Sequence, residues 1–486
     1  MQNRFVLGRP SWAAALALLL PLAVWAANIE VAPCRLRGVE HEALCGSVQR
    51  ALDPARPNAT QIAVHYAVLP ALARNKRPDP VFFFAGGPGQ SAIDIAPQVA
   101  AMLARFANRR DIVLIDQRGT GRSAPLLCEA DDPALPLAEL FTPDRQRERI
   151  AACLVKLKAL PHGDLRFYTT TLAMQDAEAV RAALGAERIN LVGASYGTRA
   201  VLEYLRQFPT RVRRAVIDGV APPDMVLPAA FSADNQAALD ALLGACEADK
   251  ACAAREPQLR ERWRGLLASL PRAIELRHPI TDRSERLSLT RDMLLGMVRG
   301  PLYAPALAAA LPAAIGQASQ GRFDALAGLA QALGGRRGLP LAVGMHFSVI
   351  CAEDFPRLGA AIDKPGADFG ASFATLYRDI CASWPRGDVP AAFYALPAAP
   401  APTLVLSGGL DPATPPRHGE RVAQALGAKA RHSVVPNAGH GVMGLACMRD
   451  ALYRFVDAAS DDDALKVDAD CARAIPRPPM FALPAK

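Results

Sequence analysis

A chain of 486 residues, 51% of them apolar, can bury a large core and is longer than one small domain requires. Its formal charge of +8 is carried by arginines scattered among acids, with no basic run, no aromatic-interleaved basic stripe and no zinc-ligand spacing. That distribution argues against nucleic acid as a partner.

Residues 1–26 join a basic start, Arg4 and Arg9, to an apolar stretch at 12–25 interrupted by Pro21, with small residues Ala23, Ala26 and Ala27 at its end. This pattern predicts a secretory signal peptide, and the stretch is short for a mature spanning helix. An uncleaved amino-terminal anchor is the competing reading. The expected destination is secreted or periplasmic, with no stable membrane association once the leader is gone. Export changes the reading of the ten cysteines, because an even number in an oxidising compartment predicts disulfides. Spacing does not determine connectivity. Pairing of chain neighbours is the expectation adopted: Cys34 with Cys45, Cys128 with Cys153, Cys246 with Cys252, Cys351 with Cys381, and Cys447 with Cys471.

Strand-like runs follow at 62–68, 81–85, 112–116, 189–193 and 215–218, with helical spacing between them, as at 173–184. This alternation predicts an α/β fold with a mostly parallel sheet covered on both faces. From 221 to 400 the chain turns Ala/Leu/Arg-rich at helical spacing, and strand-like runs resume at 403–407 and 433–436. The predicted organisation is a leader (1–26), the first half of a core (27–220), an inserted helical cap (221–400) and the second half of the core (401–486).

The chemistry centres on Ser195, in the G-x-S-x-G turn Gly193-Ala194-Ser195-Tyr196-Gly197 between a β-branched run and a helix-forming stretch. A chain that pivots sharply enough to raise a hydroxyl above a sheet edge needs residues with almost no side chain two before and two after it. The competing reading is an ordinary strand-to-helix turn with a buried serine. An acyl-transfer serine also needs a base and an orienting carboxylate, which follow in the chain order Ser, Asp, His in this architecture. Asp411, at the end of the run 403–407 and its glycine-rich loop, is the candidate acid, with Asp218 as its rival. His440, between Gly439 and Gly441 after the last strand-like run, is the candidate base, whereas His418 and His432 read as structural. Two backbone amides must face the developing oxyanion. Tyr196, next to the nucleophile, and Gly87, in the loop Ala85-Gly86-Gly87-Pro88-Gly89-Gln90, are the candidates. That loop lacks the ending of a phosphate-binding loop and the spacing of a dinucleotide fingerprint, and the chemistry requires no cofactor.

Gly86-Gly87-Pro88-Gly89, the run Asp116-Gln117-Arg118-Gly119-Thr120-Gly121-Arg122-Ser123, the serine turn, Gly409-Leu410-Asp411-Pro412 and Gly439-His440-Gly441 together resemble the proline iminopeptidase and tripeptidyl aminopeptidase family of α/β-hydrolases. The resemblance implies serine exopeptidases that release proline or short peptides from the amino end of peptide substrates, under a helical cap. Ala85 and Tyr196 stand where proline iminopeptidases usually carry histidine and tryptophan, so the chain looks closer to the secreted tripeptidyl aminopeptidase-like branch. Cap acids near the substrate ammonium are implied too, and Glu353 and Asp354 are the candidates, against the alternative of a solvated helix face. The same machinery would serve an esterase of small esters, and an inactive hydrolase fold acting as a binding module is the reading from another class.

Overall fold

The structure, a computed structural model, describes Met1 and residues 31–140, 142–332, 341–397 and 401–481. The expected signal peptide at 1–26 falls outside them, apart from Met1. The main sheet has nine strands: β1 (Ala32–Cys34), β2 (Ala43–Ala51), β3 (Gln61–Leu69), β4 (Val81–Phe84), β5 (Ile112–Ile115), β6 (Ile189–Ala194), β7 (Val212–Asp218), β10 (Thr403–Gly408) and β11 (Ala430–Val435). Their spatial order is β1-β2-β3-β5-β4-β6-β7-β10-β11. The first three strands pair antiparallel along one edge, and from β5 to β11 every pairing is parallel.

The central strands are uninterrupted apolar runs because helices cover both of their faces. Val81-Phe82-Phe83-Phe84 and Ile112-Val113-Leu114-Ile115 are buried throughout. Burying each phenylalanine stabilises the fold by about 2–3 kcal/mol. Phe82 and Phe84 pack into the layer that holds Tyr196, Val201 and Leu205, while Phe83 packs into the opposite layer with Leu406, Val442 and Phe455. The β-strand ends thus bring the turns after β4, β6, β7, β10 and β11 to one side of the sheet, where ligands bind in this architecture.

The insertion lies between β7 and β10. It is mainly helical, including Leu227–Ala248, Arg291–Leu302, Val343–Glu353 and Ser372–Ser383, and has its own core around Leu239, Trp263, Leu294 and Leu326. It also contains an antiparallel hairpin, β8 (Arg272–Arg277) and β9 (Ser284–Leu289), which the reading of this region as purely helical did not include. The period-two alternation of Ile274 and Leu276 with Leu287 and Leu289, buried between exposed neighbours, accounts for it. All ten cysteines are paired, in the five neighbouring pairs expected. Such bonds persist in oxidising compartments. Among the described residues no helix is long and apolar enough to cross a membrane.

Candidate active site

Ser195 sits between β6 and the helix Tyr196–Gln207 with φ 56° and ψ −125°. A non-glycine residue is held at positive φ only where its surroundings fix it, and here they do. Its amide donates to the Asp218 carbonyl at 2.9 Å, and its carbonyl accepts from Thr198 Oγ1 at 2.6 Å. A Cβ on Gly193 would collide with the Gly197 carbonyl, and one on Gly197 with the Phe84 carbonyl. The two glycines are therefore required by the close passage of three backbones, as the turn motif implies.

Asp411 and His440 meet beside this turn. His440 Nδ1 lies 2.8 Å from Asp411 Oδ2. The other carboxylate oxygen accepts the amides of Ala413 and Thr414 at 2.8 and 2.9 Å. Thr414 Oγ1 donates to Asp411 Oδ2 at 2.8 Å and lies 3.2 Å from His440 Nδ1, a contact with no signal in the sequence motifs. Burial disfavours both charged forms, but their mutual attraction outweighs it, holding the Asp411 pKa below and the His440 pKa above its ordinary value. Ser195 and His440 line one cavity of about 350 Å³ with Gly86, Gly87, Tyr196 and Tyr303. No hydrogen bond within 3.5 Å joins the serine hydroxyl to the imidazole. In enzymes of this kind that contact commonly tightens with substrate.

The rival acid has a different place. Asp218 Oδ2 accepts the amides of Val442 and Met443 at 2.7 and 2.8 Å, in the turn just beyond His440. One residue thereby braces both the serine turn, through its carbonyl, and the histidine loop, through its carboxylate. Burial pushes its pKa up to about 6 despite these hydrogen bonds.

The loop after β4 reaches the cavity with two amides to compare. The Gly86 amide donates to Gln90 Oε1 at 3.3 Å, whereas those of Gly87 and Tyr196 have no partner among the described residues. The inserted region clamps this loop. Ala342 N donates to Gly89 O at 2.9 Å, and His346 Nδ1 lies 3.1 Å from Pro88 O. With Nδ1–H donating to that carbonyl, Nε2 accepts the Tyr377 hydroxyl at 2.7 Å. Burial pushes the His346 pKa down to about 4, which favours this neutral tautomer. Asp116 supports the loop from below, taking Ser91 Oγ at 2.6 Å and Ile93 N at 3.2 Å, while Arg118 forms a bidentate pair with Asp176 at 2.7 and 2.8 Å. The Asp116–Ser123 run is thus a brace behind the loop.

Glu353 and Asp354 do not reach the cavity. Both are buried beneath it and engage Arg199, one turn along the helix from Ser195: Asp354 at 2.9 and 3.1 Å, Glu353 at 3.3 Å. Glu353 also accepts Thr170 N and Oγ1, and Asp354 accepts Leu227 N. Neither the solvated-face alternative nor an ammonium anchor matches this placement, because the carboxylates are already saturated by a buried guanidinium and amides. His418 pairs with Asp234 and His432 with Ser407, as structural histidines would. Among the described residues no group of three or more His, Cys, Asp and Glu is arranged to hold a metal ion.

A positive-φ serine at the end of a parallel strand, sharing a cavity with an Asp-paired histidine, defines the α/β-hydrolase class. Residues 79–245 match the model of the alpha/beta hydrolase fold. Residues 366–471 match that of the TAP-like proteins. The chain is a serine hydrolase of the alpha/beta hydrolase fold, and its carboxy-terminal part is similar to the TAP-like proteins. It is 30% identical over 210 residues to serine protease Hip1 of Mycobacterium tuberculosis, covering 40% of each chain. It is 32% identical over 197 residues to tripeptidyl aminopeptidase of Streptomyces coelicolor, covering 37% of this chain and 35% of that one. These alignments thus span well under two thirds of either relative. A longer alignment, 29% identity over 429 residues, links it to carboxylesterase B of Mycobacterium tuberculosis, covering 79% and 78%.

Proposed function

We propose that the chain is an exported serine aminopeptidase that cleaves peptides near a free amino terminus, with residues 221–400 as a cap over the site. The observation carrying this reading is the Ser195 turn opening into the same cavity as the His440–Asp411 pair. Ser195 Oγ attacks the scissile carbonyl while His440 takes its proton, and Asp411 holds the imidazole in the tautomer with its free nitrogen toward the serine. The amides of Gly87 and Tyr196 receive the oxyanion, His440 returns the proton to the leaving amine, and water hydrolyses the acyl-enzyme. Five disulfides support export, and the peptidase names of two relatives support a peptide substrate. The name of the third relative favours a second reading, an esterase of small esters.

Peptide arylamides with free and acetylated amino ends, compared with short-chain esters, separate the two. Turnover dominated by free-amino peptides fits the aminopeptidase, and turnover confined to esters contradicts it.

A further inference from the structure

Next to the catalytic cavity lies a larger one, of about 500 Å³, walled mostly by the inserted region and partly by Leu140, Thr142, Gln146 and Arg147, and Phe231 lines both. Their walls also continue along one helix. Tyr303, directly after Arg291–Leu302, lines the catalytic cavity, stacks edge-on against His440 with ring centroids 5.3 Å apart, and accepts the His440 amide on its carbonyl at 3.1 Å. Arg299 lies four residues earlier and lines the larger cavity. Residues four apart share a helix face and are separated by about 6 Å along the axis.

Arg299 is half-buried, with its guanidinium 5.4 Å from the centroid of the Phe373 ring. Among the described residues no carboxylate lies within 4.0 Å of it. The other charges in the wall differ. Arg147 is held by Asp144 and lies near Asp379, and Asp292 occupies an exposed position two turns from Arg299, about 10 Å along the axis. A guanidinium left without an acid on an aromatic wall is a receptor for a planar anion, which it grips with paired N–H donors.

We propose that the larger cavity is a substrate subsite, and that Arg299 there binds a carboxylate carried by the acyl part of the substrate. This rests on the serine-hydrolase chemistry assigned to Ser195, and it names the substrates that chemistry would prefer. One extended residue advances about 3.5 Å. A glutamate one or two residues amino-terminal to the scissile residue of a peptide would turn its carboxylate toward Arg299, as would the free carboxylate of a dicarboxylic monoester of comparable length.

The test uses the mature protein and compares kcat/KM within matched pairs. Tripeptide arylamides with Glu or Gln at each of the first two positions form one set, and p-nitrophenyl hemisuberate against p-nitrophenyl octanoate forms the other. The expected result is a preference of about tenfold for the carboxylate member, since a charge-assisted hydrogen bond exceeds a neutral one by roughly this factor. R299Q brings the ratio close to one, and R299K, which keeps the charge without the fork, retains part of it. Turnover of esters but not peptides removes the aminopeptidase reading alone, and the ester pair then decides the role of Arg299. No carboxylate preference in either set, or one that R299Q leaves intact, overturns the proposal.

Discussion

His440 Nδ1 stands 2.8 Å from Asp411 Oδ2, and the other oxygen of that carboxylate is fixed by two backbone amides. The acid is therefore oriented by its own loop, and it transmits that orientation to the imidazole. Asp411→Asn should lower kcat/KM by about 10³–10⁴-fold, the cost of the wrong tautomer in such triads. The pH profile gives an independent reading. As the proposed base, His440 must be neutral, so activity should be lost as pH falls through a histidine pKa that Asp411 holds above its ordinary value. In D411N the acid limb should move to lower pH, and an unmoved limb would detach Asp411 from the base.

Asp218 offers a stability test. Its folded pKa, about 6, exceeds the carboxylate value of 3.8, so the folded state binds more protons between these limits. The stabilising difference is complete below the lower value and is lost as pH rises through the upper one, about 3 kcal/mol in all. Asp218→Asn keeps an acceptor for Val442 and Met443 but does not titrate. The difference in thermal stability between D218N and the native chain should therefore shift in favour of D218N from pH 4 to pH 7. Asp218→Ala, which likewise does not titrate but strands two buried amides, should lie about 1–3 kcal/mol below D218N at every pH.

Gly87 has φ 112°, and a Cβ there would lie 2.8 Å from Gly89 N. Gly87→Ala should reshape the loop and withdraw one oxyanion donor, lowering kcat by about 10²–10³-fold. KM and the far-ultraviolet circular dichroism should change little, and a kcat within threefold of native would place the donor elsewhere.

His346→Leu leaves Pro88 O and the Tyr377 hydroxyl without their partner. If the clamp positions the loop, kcat should fall while KM holds, and His346→Asn, which keeps a donor near Pro88, should recover part of it. Equal loss in both variants, accompanied by a lower melting temperature, would indicate packing alone.

The parallel strands, the serine turn and the strand-end loops that carry Asp411 and His440 were legible because each has a local cause: apolar runs, glycines beside a pivot, polar residues at strand ends. The antiparallel edge begins earlier than read, with β1 and β2, because the mixed polar run 43–51 shows little alternation and is stabilised by pairing with β3. The hairpin β8–β9 was hidden in a helix-rich stretch despite its alternation. Glu353 and Asp354 were misplaced for a different reason. A carboxylate pair on a helix looks available until the fold supplies Arg199 from 154 residues away. Thr414, His346 and the bracing role of Asp218 depend on contacts between distant loops and have no one-dimensional signature.

The most direct test treats the mature protein with a fluorophosphonate, maps the adduct by mass spectrometry, and follows release from a free-amino tripeptide arylamide in the same sample. The expected result is a single adduct on Ser195 with proportional loss of peptide turnover, both adduct and turnover being abolished in Ser195→Ala. A folded native chain that leaves Ser195 unmodified, or that keeps its turnover after the serine is removed, would contradict it.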